Sequence, residues 1–443
     1  MSRKPRKHRV RTGLVLLAVL GLPQAPLAAQ DKPPATAPAP VEAATPSFPD
    51  SLWTSPTLTG DWGGARTELA NLGFTLAPNL YTGYIHNYSG GLNTHHAHDW
   101  PGIAHYNAEL DFAKMKLIPG GSFFFRAIQS WNDGIRGDVG SLSTPYSTWG
   151  SSGDNEILVD KWWYRQRLLD DRIELRLGKL VNVIDLYDVS PYAGNMYTRF
   201  SNYWLVANPT IPVAKGIGAN LKVWPTDWLY VQAGAMDPDQ NQRKTGFDTA
   251  FHGPCRFQGY WEFGLTPKWD GPNGKLPGQY RFGWWYDSRT KAVFRDTLGG
   301  AKRTPTETGD VGFYLGFDQL VFKENDNPKD SQGLAMFCRY GYAHREVNRL
   351  AHFWSVGAQY QGLVPTRDKD ILGFGVAQGI MSSAFRHELN SRADRETVYE
   401  WYYAVEVFPW LTITPDVQVI TNPGGLKDGR DAIVGGVRFR VAL

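Results

Sequence analysis

Beyond residue 30 the chain has no apolar run long enough to cross a bilayer as a helix, which takes about 20 residues. Mean hydropathy is −0.37, so a bundle of membrane helices is excluded. Only two cysteines, Cys255 and Cys338, occur in 443 residues. That is too few for a disulfide framework, and their spacing fits no zinc motif. One loop disulfide and two unrelated thiols both stay open. Catalytic signatures are missing as well. There is no G-x-S-x-G elbow, P-loop, H-E-x-x-H or dinucleotide fingerprint, and nothing pairs two carboxylates for acid–base work. The expectation is a non-enzyme without a cofactor. The tract His95-His-Ala-His98-Asp99 has no second ligand cluster near it and reads as a solvated loop rather than a metal site.

A lasting excess of positive charge is also lacking. Arg3, Lys4, Arg6, Lys7, Arg9 and Arg11 precede the apolar stretch Gly13–Leu22, and Pro26-Leu-Ala-Ala-Gln30 follows with small residues. Basic, apolar and small-residue regions in that order form a secretory signal. Cleavage is expected after Ala29, with Leu27 at −3 where a small residue is preferred. Removing 1–29 leaves 40 basic against 43 acidic residues, so the basicity belongs to export and a nucleic-acid partner loses its support. Residues 30–50 are rich in Pro and Ala and read as a linker. Residues 51–73 form an N-terminal segment with a short helix over Thr67–Leu72, stopped by Gly73. Residues 74–443 read as one domain.

What is present is aromatic and alternating. Aromatic residues make up 14% of the chain, with 17 tryptophans, a content that suits a barrel whose two faces average out in hydropathy. Tyr399, Trp401, Tyr403, Val405 and Val407 alternate with Glu400, Tyr402, Ala404 and Glu406. Leu411, Ile413, Val417 and Val419 oppose Thr412, Thr414, Asp416 and Gln418. Val437, Phe439 and Val441 oppose Arg438, Arg440 and Ala442. Period two of this kind makes strands, and the charges on the second face suit an aqueous lumen. Short connections at 119–121, 169–171, 225–227, 365–368 and Pro409 alternate with long polar segments near 89–101, 133–156, 185–211, 237–255, 289–308, 382–396 and 422–431. The fold class expected is all-β: a transmembrane antiparallel β-barrel of about 16 strands in outer-membrane lipid, wide enough for a channel. Strand starts are expected near 74, 102, 121, 157, 172, 212, 228, 256, 279, 309, 332, 351, 369, 397, 410 and 432. Trp162, Trp163, Trp284, Trp285 and Trp401 are expected as interfacial girdle anchors.

Five stretches carry a family resemblance: Leu58-Thr-Gly-Asp-Trp-Gly-Gly-Ala-Arg66, Trp162-Trp-Tyr164 with Leu175-Arg-Leu-Gly-Lys-Leu180, Leu276–Asp287, Pro409–Asp416 and Asn422-Pro-Gly-Gly425. In order and spacing they resemble the carbohydrate-selective porins of the OprB family, from about residue 52 onward. The resemblance implies a sixteen-stranded outer-membrane porin that lets small carbohydrates diffuse into the periplasm. The final residue departs from the pattern: outer-membrane barrels often end in Phe, and this chain ends in Leu443.

Sugar passage needs a polar constriction, and the planar fork of Arg makes paired hydrogen bonds with vicinal oxygens. Candidate lumen residues are Arg126, Arg165, Arg172, Glu174, Arg176, Glu400, Asp416, Arg438 and Arg440. The long segment 185–211 is expected to fold into the pore and adds Asp188 and Arg199. Two readings compete with a porin. One is a barrel plugged by its N-terminal segment that anchors or exports a polysaccharide. The other is a secreted, Trp-rich carbohydrate-active enzyme. A homo-oligomer is allowed, with monomer and trimer both open.

Overall fold

The computed structural model describes residues 52–146, 154–238, 245–247, 250, 256–294, 305–327, 330–389 and 392–443. The expected signal, the 30–50 linker and Cys255 lie outside the described residues. Sixteen long strands follow one another: β1 Asn79–Ser89, β2 Gly102–Asp111, β3 Gly121–Trp131, β4 Asp154–Leu168, β5 Ile173–Val181, β6 Lys215–Thr226, β7 Leu229–Met236 and β8 Gln258–Leu265. They continue as β9 Gly274–Ala292, β10 Thr306–Lys323, β11 Gly333–Ala343, β12 Leu350–Gln361, β13 Ile371–Met381, β14 Arg395–Phe408, β15 Leu411–Thr421 and β16 Ala432–Ala442. Every neighbouring pair is antiparallel. The sheet closes where β16 pairs with β1, setting Gly436 opposite Ile85 and Arg440 opposite Tyr81. Closure removes every exposed edge, which hydrocarbon demands because it offers backbone groups no partners.

The expected starts fall within five residues of these strands. The largest differences are at β1, where Phe74–Leu76 is a separate short strand against β2, and at β9, which begins earlier because Lys268–Gly271 forms a hairpin with its first residues. The end where Leu58 and Arg66 meet Ala442 and Leu443 carries the short turns; the other end carries the long loops. The helix runs over Ala65–Asn71, starting two residues before its expected position. The Asp61 carboxylate accepts the Thr67 N–H at 2.9 Å. Gly73 ends it at φ +94, where a Cβ would sit 2.7 Å from the Asp111 carbonyl. The segment packs on the turn-end rim. Leu58 N–H donates to the Ala442 carbonyl at 2.7 Å and Arg66 to the Leu443 carbonyl at 3.1 Å. The described part of this segment therefore does not fill the lumen.

The two faces of the wall separate cleanly. Phe263, Phe282, Phe317, Phe374, Trp401 and Ile433 are each about 40–47% exposed on the outside. Exposed aromatic and aliphatic side chains of this kind are what the outer wall of an outer-membrane barrel carries. Cys338 lies on this outer face. The adjacent pairs Trp162-Trp163 and Trp284-Trp285 correct the girdle expectation. Period two forces one member of each pair inward. Trp285 is buried in the lumen, and Trp163 lies inside against Phe124.

Candidate functional site: a polar lane beside an inserted loop

The segment between β5 and β6, residues 182–214, folds into the barrel. Phe200, Trp204 and Leu205 are completely or almost completely buried. Phe200 meets Phe337 and Tyr402 edge-on at 5.7 and 4.8 Å, and Trp204 meets Phe353 at 6.1 Å. Burying each such side chain contributes about 1.5–3 kcal/mol. The lumen therefore has an apolar core of its own on one side of the loop.

Buried charges fasten the loop to the wall in two places. On β14, Glu400 accepts the N–H groups of Ser201 (2.6 Å) and Asn202 (3.0 Å) and the Ser201 hydroxyl (3.1 Å). On β16, Arg438 donates to Asp416 (2.9 Å) and to the carbonyls of Met196 (3.1 Å) and Arg199 (2.5 Å). Asp416 also accepts the Tyr146 hydroxyl at 2.7 Å. Across the barrel, Asp188 lies 3.4 Å from Arg281 and 3.7 Å from Arg339, and Arg281 pairs with Asp318 at 2.7 Å. Ser190 donates to Asp318, the Asp188 N–H to Glu262 at 2.8 Å, and Arg339 to the Leu205 carbonyl at 3.0 Å. All these charges are buried. Glu400, Asp416 and Arg438 were expected as lumen-face residues, and Asp188 on the segment folding into the pore. The structure corrects this: Asp188 is buried on the loop against wall arginines, and the loop covers Glu400, Asp416 and Arg438, of which Glu400 and Arg438 hold its backbone.

The other expected residues separate into three groups. Arg126 pairs with Asp160 and lines an open chamber. Arg199 and Arg440 line a second. Arg165, Glu174 and Arg176 form wall pairs: Arg165 with Glu109 at 3.1 Å, Arg176 with Glu174 at 2.7 Å. Arg172 is not in the lumen. It sits in the turn before β5, half exposed, 3.2 Å from Asp227.

The chambers lie in sequence past the loop. An upper chamber of about 310 Å³ is lined by His105, Arg126, Asp160, Lys161, Asp185, Asn195, Tyr197 and Lys215. A lower one, also about 310 Å³, is lined by Asn79, Tyr81, Asn195, Arg199, Lys369, Glu406, Thr412 and Arg440. Asn195 borders both. Between them the Tyr81 and Tyr197 rings stack at 4.2 Å, and the Tyr197 hydroxyl is 3.1 Å from His105 Nε2. A third cavity of about 310 Å³ at the loop end shares Tyr203 and Val213 with the upper chamber. Among the described residues no group of three His, Cys, Asp or Glu side chains is arranged to hold a metal.

A family model described as carbohydrate-selective porin, OprB family, matches residues 102–443. The chain belongs to this family. Porin B of Pseudomonas aeruginosa is 22% identical over 432 residues, covering 89% of this chain and 92% of that protein. The putative porin QuiX of Acinetobacter baylyi is 21% identical over 429 residues, covering 87% and 92%. The high-pH structure of Pseudomonas putida OprB has a TM-score of 0.75 at 21% identity and covers 89% of this chain and all of that one. The shared fold is thus a porin barrel, and membership points to a channel in the outer membrane rather than to an enzyme.

The residue-level reading of this porin missed Glu262, Arg281, Asp318 and Arg339. Glu262, Arg281 and Arg339 are single charges flanked on a strand by Trp261 and Phe263, Tyr280 and Phe282, and Cys338 and Tyr340, and Asp318 follows Phe317. That alternation places all four inward and was readable. Lys161 and Asp160 were less so, because a bulge in β4 opposite Arg126 and Ala127 brings two consecutive residues to the lumen side.

Proposed function

We propose that the protein is a passive, sugar-preferring channel, exported by residues 1–29, with its loop end at the cell surface and its turn end in the periplasm. The observation that carries this reading is the chain of chambers beside the inserted loop. Small solutes would enter beside Tyr203, pass Arg126 and the Tyr81–Tyr197 stack, and leave past Arg199 and Arg440. The lining supplies what a pyranose needs: guanidinium and amide donors for vicinal hydroxyls and flat rings for its apolar face. The paired charges of the upper chamber keep it polar without a large net field. The apolar packing and buried ion pairs behind the loop fix the loop's position, which sets the width of the lane.

Purified protein in a planar bilayer should give stepwise conductance that glucose partly blocks, and liposomes containing it should swell in mono- and disaccharides. A folded preparation that never conducts would contradict the proposal.

A further inference from the structure

Building on that channel reading, we propose that the lower chamber is a binding site for sugar acids, monosaccharides bearing one carboxylate, held between Arg199 and Arg440. The two chambers differ in charge pairing. In the upper one, Arg126 pairs with Asp160, Lys161 with Asp185 at 2.5 Å and Lys215 with Asp160 at 3.7 Å. In the lower one, Lys369 is matched by Glu406 at 2.7 Å, but neither Arg199 nor Arg440 forms an ion pair among the described residues. Two guanidinium groups thus border one volume whose single carboxylate, Glu406, is taken up by Lys369 among the described residues. Guanidinium groups aimed at one concave volume raise the local concentration of an anion there.

Arg199 is held ready for that task. Its own carbonyl is held by Arg438, and the Thr198 carbonyl accepts the Thr414 hydroxyl at 3.2 Å. Its Nη1 donates to the Pro191 carbonyl at 2.9 Å. Its stem crosses Gly194, where a Cβ would lie 2.1 Å from Arg199 Cδ and where φ is +71. Only glycine allows both the turn and the crossing. Arg440 stands on β16 in register with Thr412 on one side and Tyr81 on the other. A carboxylate accepts paired N–H bonds from a guanidinium, and such charge-assisted bonds are roughly twice as strong as neutral ones. Asn79, Asn195 and Thr412 supply amide and hydroxyl groups for the sugar ring.

The test titrates the full-length channel in planar bilayers with sodium glucuronate and separately with glucose, at matched ionic strength, and reads current block. In the wild type, half-block by glucuronate is expected at a concentration about tenfold below that of glucose. The R199Q/R440Q double variant, with folding checked by heat-shifted migration in SDS, should bring that ratio to about one. R440K, which keeps the charge but loses the fork, should give an intermediate ratio, and G194A should lower it by displacing Arg199. Equal half-block concentrations in the wild type would overturn the sugar-acid site and leave sugar passage standing. A conducting channel blocked by neither solute would overturn the sugar reading itself. An unchanged ratio in the folded double variant, or in R440Q alone, would overturn the assignment to these arginines.

Discussion

The wall beneath the inserted loop and the wall of the lower chamber use the same residue types to different ends. Arg438 and Arg440 stand two residues apart on β16 and face the same way. Arg438 is fully buried and spends its donors on Asp416 and two loop carbonyls. Arg440 borders open volume and has no carboxylate partner among the described residues. Glu396, Glu400 and Glu406 repeat the contrast on β14. Glu396 accepts N–H groups of Leu142, Ser143 and Gly424, and Glu400 those of Ser201 and Asn202. Glu406 instead lines the lower chamber and meets Lys369. Along β14 and β16 the charges covered by the inserted segments brace them, and Glu406 and Arg440, left uncovered, border open volume.

Breaking a brace should have the largest effect. Arg281→Ala leaves Asp188 and Asp318 buried with part of their counter-charge gone. It is expected to cost about 3–5 kcal/mol, read as earlier thermal unfolding in detergent and as proteolysis within 182–214. Glu400→Gln replaces one acceptor facing the Ser201 and Asn202 N–H groups with a donor. It should cost about 1–3 kcal/mol and make single-channel current noisier as the loop loosens. Arg440→Gln should leave unfolding within about 0.5 kcal/mol of wild type while shifting the ion preference of the current toward cations. Arg172→Ala should change neither quantity measurably, because its pair with Asp227 is solvent-exposed and such pairs contribute about 0–1 kcal/mol. A large conductance change from Arg172→Ala, or none from Arg440→Gln, would blur the line between lane and brace.

Most of the barrel was legible in the sequence. Alternation in β14, β15 and β16 marks which residues face inward, and glycine- and proline-bearing turns mark where the chain reverses. These signals are local, so they survive without knowledge of the partner strand. The division between Arg438 and Arg440 is not local. It depends on Met196 and Arg199, more than two hundred residues away in sequence, whose carbonyls cover one arginine and leave the other open. The same holds for Glu400 and Glu406. Segment 185–211 announced itself as an insertion by its length and its mixture of Tyr, Trp, Asp and Arg. Which wall charges it would cover depends on its packed path, fixed by Phe200 and Trp204 in apolar pockets that no periodicity reveals. The tryptophan pairs were a different case. Strict application of period two to Trp162-Trp163 and Trp284-Trp285 would have sent one of each inward.

The contrast on β16 is tested most directly by cysteine accessibility. With Cys255 and Cys338 replaced by serine, Arg438→Cys and Arg440→Cys channels are exposed in a bilayer to a charged, water-soluble thiosulfonate while current is recorded. Cys at 440 is expected to react and change conductance stepwise, and Cys at 438, beneath the loop, to stay inert on the same timescale. Equal reactivity at the two positions would contradict the account.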